Sequence, residues 1–283
     1  MSDSTGKTFF VTGANAGIGR ATVEALAARG GNVVLASRSE EKTRPVLESI
    51  SERWPGSKAE FLKLDLGDLH SVKAAAEQYL ASGKPIDVLI NNAGLAGYPG
   101  VTRDGYEITF GTNHLGPFLL TQLLLPRLQE APQGRVVNVA SRAGERVAQI
   151  RWDWLEGPID STRGRIRQYG ISKLMNVLHA KELARRLGGT RVTTYSLHPG
   201  VVASELWRKL PGPLEALVKL FMISNEEGAR TSVYCATAPE LSQVTGRYYD
   251  KCKERRPNPL ADDLQLAAKL WQRSEELVRA ALG

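Results

Sequence analysis

The sequence predicts an α/β fold, a doubly wound parallel sheet with helices on both faces. Short runs rich in β-branched residues alternate with segments of helical periodicity, and the runs are apolar on successive residues, as in strands covered on both sides. A glycine-rich turn joins the first run to the first helical segment. Strands are expected at residues 8–13 (TFFVTG), 31–37 (GNVVLAS), 59–65 (AEFLKLD), 85–94 (PIDVLINNAG), 134–141 (GRVVNVAS) and 191–200 (RVTTYSLHPG). Helices are expected near 18–29, 40–53, 68–82, 105–130, 166–187 and 225–237. A helix between consecutive strands carries the chain back across the sheet, so the strands run parallel. No Pro/Gly/Ser linker or repeat divides the chain, and residues 1–283 read as one domain. An insertion at 142–165 and a lid at 201–223 break the rhythm. Both follow the carboxyl ends of expected strands, where open α/β sheets place their ligands.

With 283 residues, 42% of them hydrophobic and 24% charged, the chain is long enough to cover a sheet on both sides. Its net charge of +7 is scattered over several helices and is neither gathered in a block nor interleaved with aromatics, which argues against nucleic acid as a partner. No run of about 18 apolar residues occurs, so neither a signal peptide nor an integral membrane segment is expected. Cys235 and Cys252 have no partners at metal-ligand spacing, which disfavours zinc or a disulfide framework and fits a cytoplasmic location.

The first strand ends in Thr12-Gly13 and continues through Ala14, Asn15, Ala16, Gly17, Ile18 and Gly19 into a helix. Gly13 permits the tight turn, Gly17 lets backbone approach a pyrophosphate, and Gly19 lets the helix pack closely on the strand. Such a turn also occurs without any ligand; its place at the start of a βαβ unit favours a dinucleotide. Tyr169 and Lys173 lie four residues apart in a helical stretch, so phenol and ammonium share a face. A nearby cation favours the phenolate and makes tyrosine a usable acid or base near neutrality. Taken alone the pair is a weak signal, and its company decides.

That company is Asp65-Leu66 after the third strand, Asn91-Asn92-Ala93-Gly94 after the fourth, Asn113, Ser141 after the fifth, and His198-Pro199-Gly200 after the sixth. Over about residues 7–250 the chain resembles the short-chain dehydrogenase/reductase superfamily. The stretches FGTNHLGPFLLT, RVVNVASRAG, YGISK and LHPGVVASEL are similar to the branch of retinol dehydrogenases, WW-domain oxidoreductases and soluble bacterial homologues. The hydrophobic amino-terminal anchor of membrane-associated retinol dehydrogenases has no counterpart here, nor does the active-site cysteine of protochlorophyllide reductases.

The resemblance implies a Rossmann-type domain that interconverts a carbonyl and an alcohol with NAD(P). It assigns a tetrad: Ser141 binds the carbonyl oxygen, Tyr169 is the general acid/base, Lys173 lowers the tyrosine pKa and holds the nicotinamide ribose, and the Asn113 carbonyl anchors a water. Pro117, four residues later, has no N–H for that carbonyl; it either leaves the carbonyl free or only kinks a packed helix. The implied cofactor contacts are Gly13, Asn15, Ala16, Gly17, Ile18, Gly19, Asp65, Leu66, Asn92, Ala93 and Gly94, then Tyr169, Lys173, Pro199, Gly200 and Val202. Asp65 would accept from the adenine amino group. At the end of the second strand, Ser37 and Arg38 stand where an NAD site carries a carboxylate, which points to NADP (NADPH). Arg38 is alternatively a solvated loop charge, with Lys42 or Arg44 sharing the role.

The lid carries Leu206, Trp207, Leu210, Leu214 and Leu217 as an apolar helical face, and the insertion carries Trp152 and Trp154. Together they would wall an apolar pocket for a bulky lipophilic ketone or aldehyde, with plain core or a subunit contact as the alternative. The functional readings are an NADPH-dependent carbonyl reductase, an alcohol dehydrogenase working in the oxidising direction, and a non-catalytic dinucleotide sensor that would not need the whole tetrad. Ser141 and Tyr169 are 28 positions apart, about twice the separation in compact members of the superfamily. If the insertion folds over the helices through which tetrameric members associate, a monomer or a dimer through another face follows; if it loops towards the pocket, those helices stay free.

Overall fold

The computed structural model describes residues 4–200 and 223–283. Its sheet has the order β3-β2-β1-β4-β5-β6-β7-β8. The strands are β1 (Thr8–Thr12), β2 (Asn32–Ser37), β3 (Ala59–Lys63), β4 (Val88–Asn91), β5 (Arg135–Val139), β6 (Thr193–His198), β7 (Arg247–Asp250) and β8 (Lys253–Glu254). The first seven are parallel and β8 closes the edge antiparallel. Strand order reverses between β1 and β4, which opens a crevice above their carboxyl ends.

Successive strand residues feed opposite layers. Phe9, Val11, Val33 and Leu35 pack with Leu26 of α1 (Gly17–Ala27) and Ile50 of α2 (Glu40–Arg53). Phe10, Val34 and Ala36 join the other layer, with Val72 of α3 (Leu69–Ala81). Burial on both faces removes the polar alternation of a half-exposed strand, hence the continuous apolar runs.

The helical segment expected at 105–130 is interrupted. A short α4 (Ile108–Phe110) passes through a π-helical turn at Gly111–Leu115 into α5 (Gly116–Glu130). The Gly116 N–H reaches back five residues to the Gly111 carbonyl, and Pro117 follows with no N–H to give. Asn113 sits in this irregular turn. Gly116 is required there because a Cβ would lie 2.3 Å from the Leu66 carbonyl oxygen.

Next come α6 (Thr162–Arg186), α7 (Asn225–Thr237) and α8 (Leu264–Leu282). Helix α6 starts earlier than its periodicity indicates, because Ser161 caps it by accepting from the Gly164 N–H at 3.1 Å. The β7–β8 hairpin and α8 lie beyond the expected elements. The hairpin turns on Lys251-Cys252, both at positive φ (51° and 58°), where Asn-Gly is the usual signal. Helix α8 buries one stripe, Ala267, Leu270, Trp271, Ser274 and Leu277, against α5 and α6. Trp271 meets the Phe118 ring edge-on with centroids 5.0 Å apart, His114 Nε2 lies 2.9 Å from Ser274 Oγ, and the Tyr106 hydroxyl donates to the Leu277 carbonyl at 2.7 Å. Burial lowers the pKa of His179 to about 4 and pushes His114 down as well, so both are neutral near pH 7.

Candidate active site

The crevice above β1 and β4 holds a groove of about 370 Å³. Gly13 and Gly17 take positive φ of 67° and 55°, and a Cβ on Gly19 would lie 2.2 Å from the Gly13 carbonyl oxygen, so backbone alone forms this wall. Helix α1 begins here with no side-chain cap and no acidic residue in its first turn. By contrast, α2, α3, α6, α7 and α8 are all capped by a side chain. Uncapped N–H groups at a helix N-terminus, facing a groove, suit an anion such as a pyrophosphate. The residues present therefore fit a dinucleotide.

Asn15, Ala16, Ile18, Ser37, Arg38, Asp65 and Leu66 line the same groove, as do Asn92, Ala93 and Gly94. The loop after β4 is tied to the end of β1: Thr12 Oγ1 accepts from the Asn92 and Ala93 N–H groups at 3.0 Å, and the Asn92 amide donates to the Thr12 carbonyl at 2.9 Å. Asp65 Oδ1 accepts from the Gly67 N–H at 2.9 Å. Ser37 is buried with its hydroxyl 2.7 Å from Thr43 Oγ1, whereas Arg38 is exposed on the rim and forms no ion pair among the described residues. Lys42 and Arg44 are exposed on α2 and do not line the groove. Thr112 and Asn225 line it without having been singled out in the sequence; Asn225 opens α7, across from Gly17. No local pattern marks them, since their place follows from tertiary packing.

Gly94 leads from the groove to the tetrad. A Cβ on Gly94 would lie 3.2 Å from both Asn113 Oδ1 and Lys173 Nζ. The Asn113 side chain clasps the loop, accepting from the Leu95 N–H at 2.8 Å and donating to the Leu95 carbonyl at 2.9 Å and to Ser172 Oγ at 3.1 Å. Lys173 is buried, donates to the Val139 carbonyl at 2.9 Å, and has its pKa lowered by burial to about 8. Its Nζ lies 5.7 Å from the centroid of the Tyr169 ring. Burial is the largest influence on the Tyr169 phenol and raises its pKa; a hydrogen bond with the Ser141 hydroxyl works against that rise. The Lys173 ammonium itself is directed at the Val139 carbonyl. The structure thus brings Asn113, Ser141, Tyr169 and Lys173 into one cluster at the end of the groove.

Other expected site residues lie apart from it. Pro199 and Gly200 line a second cavity, of about 420 Å³, with His198, Arg142 and Asp250. Val202, Leu206 and Trp207, with the rest of 201–222, lie outside the described residues. Trp152 packs on the core beneath Lys269, whose Nζ is 4.8 Å above its ring, and Trp154 lies between Arg151 and Arg167.

Comparison with known proteins agrees with this geometry. The pattern of the short chain dehydrogenase family matches residues 7–152. Retinol dehydrogenase 12 from Homo sapiens is 44% identical over 276 residues, 96% of this chain and 86% of its own. Dehydrogenase/reductase SDR family member 13 from Bos taurus is 41% identical over 283 residues, 98% of this chain and 74% of its own. Among solved structures, an uncharacterised protein from Mycobacterium paratuberculosis superposes with a TM-score of 0.80 at 32% identity, covering 99% of this chain and 96% of that one. A blue fluorescent protein from a metagenomic library, in complex with NADPH, gives 0.69 at 27% identity, covering 88% and 97%. With a glycine groove at the strand-order switch, a serine, tyrosine and lysine at its end, and relatives that match nearly the whole chain, the protein belongs to the short-chain dehydrogenase/reductase family of oxidoreductases.

Proposed function

We propose that the protein is an NADPH-dependent carbonyl reductase for bulky lipophilic aldehydes or ketones, with one domain carrying both the cofactor and the substrate site. The observation that carries the reading is the pairing of two features at one groove: an uncapped α1 N-terminus for the pyrophosphate and an unpaired Arg38 at the rim for a 2′-phosphate. The NADPH complex of a structural relative supports the same choice.

A dinucleotide held by the groove residues Gly13 to Gly19 would supply the hydride from its nicotinamide. Ser141 and Tyr169 act on the substrate oxygen, Ser141 by donating a hydrogen bond and Tyr169 by giving up its proton as charge develops there. Burial keeps the phenol protonated, the form needed for reduction. Lys173, with its pKa near neutrality, is placed to pass a proton inward, and Asn113 holds the loop that carries Gly94 beside it. Tyr98 and Ile166 are about half exposed; Ile166 lies three residues before Tyr169, and Arg165 ties α6 to the Gly97 carbonyl at 3.2 Å. We read the two exposed apolar side chains, Tyr98 and Ile166, as part of the approach to Tyr169, in support of a lipophilic substrate.

The names of the retinol dehydrogenase relatives favour a second reading, oxidation of a lipophilic alcohol by the same groups in reverse. The deciding experiment is turnover of retinaldehyde, retinol and a panel of aromatic ketones with NADPH/NADP⁺ and NADH/NAD⁺. The carbonyl reductase reading expects the largest kcat/KM with NADPH and a carbonyl; a preference for NADH, or no turnover of any carbonyl, overturns it.

The assembly is read as a monomer or a dimer through another face, because α8 lies across α5 and α6. A tetramer of 30.9 kDa chains in sedimentation at micromolar concentration would refute this. Both cysteines are unpaired, in keeping with a reducing cytoplasm. Among the described residues no helix is long and apolar enough to cross a membrane.

A further inference from the structure

Ser141 ends β5 in a tight turn: its hydroxyl accepts from the Ala143 N–H at 3.2 Å and its carbonyl from the Gly144 N–H at 3.0 Å. The hydroxyl is thus oriented by the turn, and its place depends on how the turn itself is held where Arg142 begins the long insertion. The turn is held from outside. The Arg142 N–H is directed at His198 Nδ1, 3.4 Å away at the end of β6. The Arg142 side chain crosses to the end of β7, where Nε and Nη2 converge on Asp250 Oδ2 at 2.9 and 2.5 Å. Arg255 Nη1 joins the same oxygen at 3.1 Å, and its Nη2 reaches Glu145 at 3.1 Å. Further along, the Asn258 amide donates to the carbonyls of Gly144 and Val147 at 2.9 and 2.7 Å.

The carboxylate at the centre of this arrangement is costly. Asp250 has only 5% of its side chain exposed, and its Oδ1 has no hydrogen-bond partner among the described residues. A buried ion pair is weak as a source of stability compared with apolar side chains of the same volume, but two N–H groups on one oxygen fix a guanidinium's position. Arg142 is the residue next to Ser141, and three strand ends meet at it.

The geometry points to Asp250 and Arg142 as positioning residues that set the Ser141 hydroxyl against Tyr169 and the substrate oxygen. Neither needs to touch the substrate; the pair fixes the turn from which Ser141 projects. This rests on the reading of Ser141 and Tyr169 given above. The brace lies among the ends of β5, β6 and β7 and none of its residues lines the glycine groove, so its main effect is expected on the carbonyl step.

The test is Asp250→Asn, which keeps the shape and removes the charge, assayed with NADPH and retinaldehyde well below its melting temperature. The expected result is a kcat lowered about tenfold, as for a small misplacement of a reacting group. KM and the NADPH dissociation constant, from fluorescence titration, stay within about threefold, and Asp250→Glu recovers part of the loss. Arg142→Lys keeps the cation without the converging N–H groups and gives an intermediate loss. A crystal structure of Asp250→Asn should show Ser141 Oγ displaced from the Tyr169 hydroxyl by about 1 Å, a readout that needs no turnover. Parent kcat in both variants, or an unmoved Ser141, overturns the inference. Full turnover in Ser141→Ala would instead overturn the reading of the site, and the brace with it; turnover lost in Ser141→Ala and kept in Asp250→Asn overturns the brace alone.

Discussion

The two halves of the sheet are built on different principles. On the β1–β4 side the groove is made largely of backbone: glycines at positive φ, an uncapped helix, N–H groups held by the Thr12 hydroxyl and a carbonyl held by the Asn92 amide. On the β5–β8 side position is set by side chains reaching over long sequence separations, as in Arg142 to Asp250, Asn258 to Gly144 and Trp271 to Phe118. A backbone-built site tolerates few residue types and binds the invariant part of a ligand. A site built from side chains can be altered one residue at a time.

Tyr169→Phe breaks the chemical end of the comparison and should have the largest effect. It keeps the ring and removes the proton, so kcat is expected to fall by about 100-fold or more while NADPH binding is retained. Single-turnover and titration measurements separate the two; activity within a few-fold of the parent would remove Tyr169 as the acid.

Gly19→Ala tests the backbone-built half. Its Cβ would lie 2.2 Å from the Gly13 carbonyl oxygen and 2.6 Å from the Asn92 amide, so the turn itself must shift. Destabilisation of about 1–3 kcal/mol is expected, with NADPH bound more than about tenfold more weakly. If calorimetry and titration show neither, the wall is softer than its geometry indicates.

Arg38→Ala sharpens the question of which dinucleotide the groove prefers. Removing an exposed, unpaired guanidinium should lower the ratio of kcat/KM for NADPH over NADH by about tenfold, since exposure weakens the charge-assisted contact. Ser37 is a poorer lever than it looks in sequence, because its hydroxyl is already engaged with Thr43. An unchanged ratio would place the discrimination elsewhere.

The last test concerns the side-chain-built half and reads stability, not turnover. His179 titrates near 4 in the folded protein, below its ordinary value of about 6.5. The unfolded chain therefore takes up its proton first as pH falls, and stability that is full above pH 6.5 is lost on the way to 4. His114 adds in the same direction. Melting curves across this range should show the slope, and His179→Gln should flatten part of it; an identical slope would assign the acid sensitivity to other groups.

This division also governs what the sequence revealed. The six strands, the glycine turn and most of the residues lining the groove, though not Thr112 or Asn225, were legible because backbone conformation and two-sided burial leave local signatures such as Gly13-to-Gly19 and the apolar runs. Helix α8 and the β7–β8 hairpin were not anticipated. The hairpin turns on Lys251-Cys252 without a glycine, and β7 owes its place to pairing with β6, which no window of four residues displays. Trp152 and Trp154 carry in sequence no mark of which neighbours they meet, and in the fold Lys269 and two arginines lie over their rings. The burial that raises the Tyr169 pKa is likewise a property of the assembled fold and leaves no local signature.

Helix α8 has a consequence in time as well as in space. A ribosome delivers Asn113, Ser141, Tyr169 and Lys173 well before residues 264–282, so the cluster can gather while the outer faces of α5 and α6 still lack their cover. Until Leu270, Trp271 and Leu277 emerge, Phe118, His114 and His179 face solvent on the nascent chain. The last turns to be synthesised thus complete the packing of helices made a hundred residues earlier.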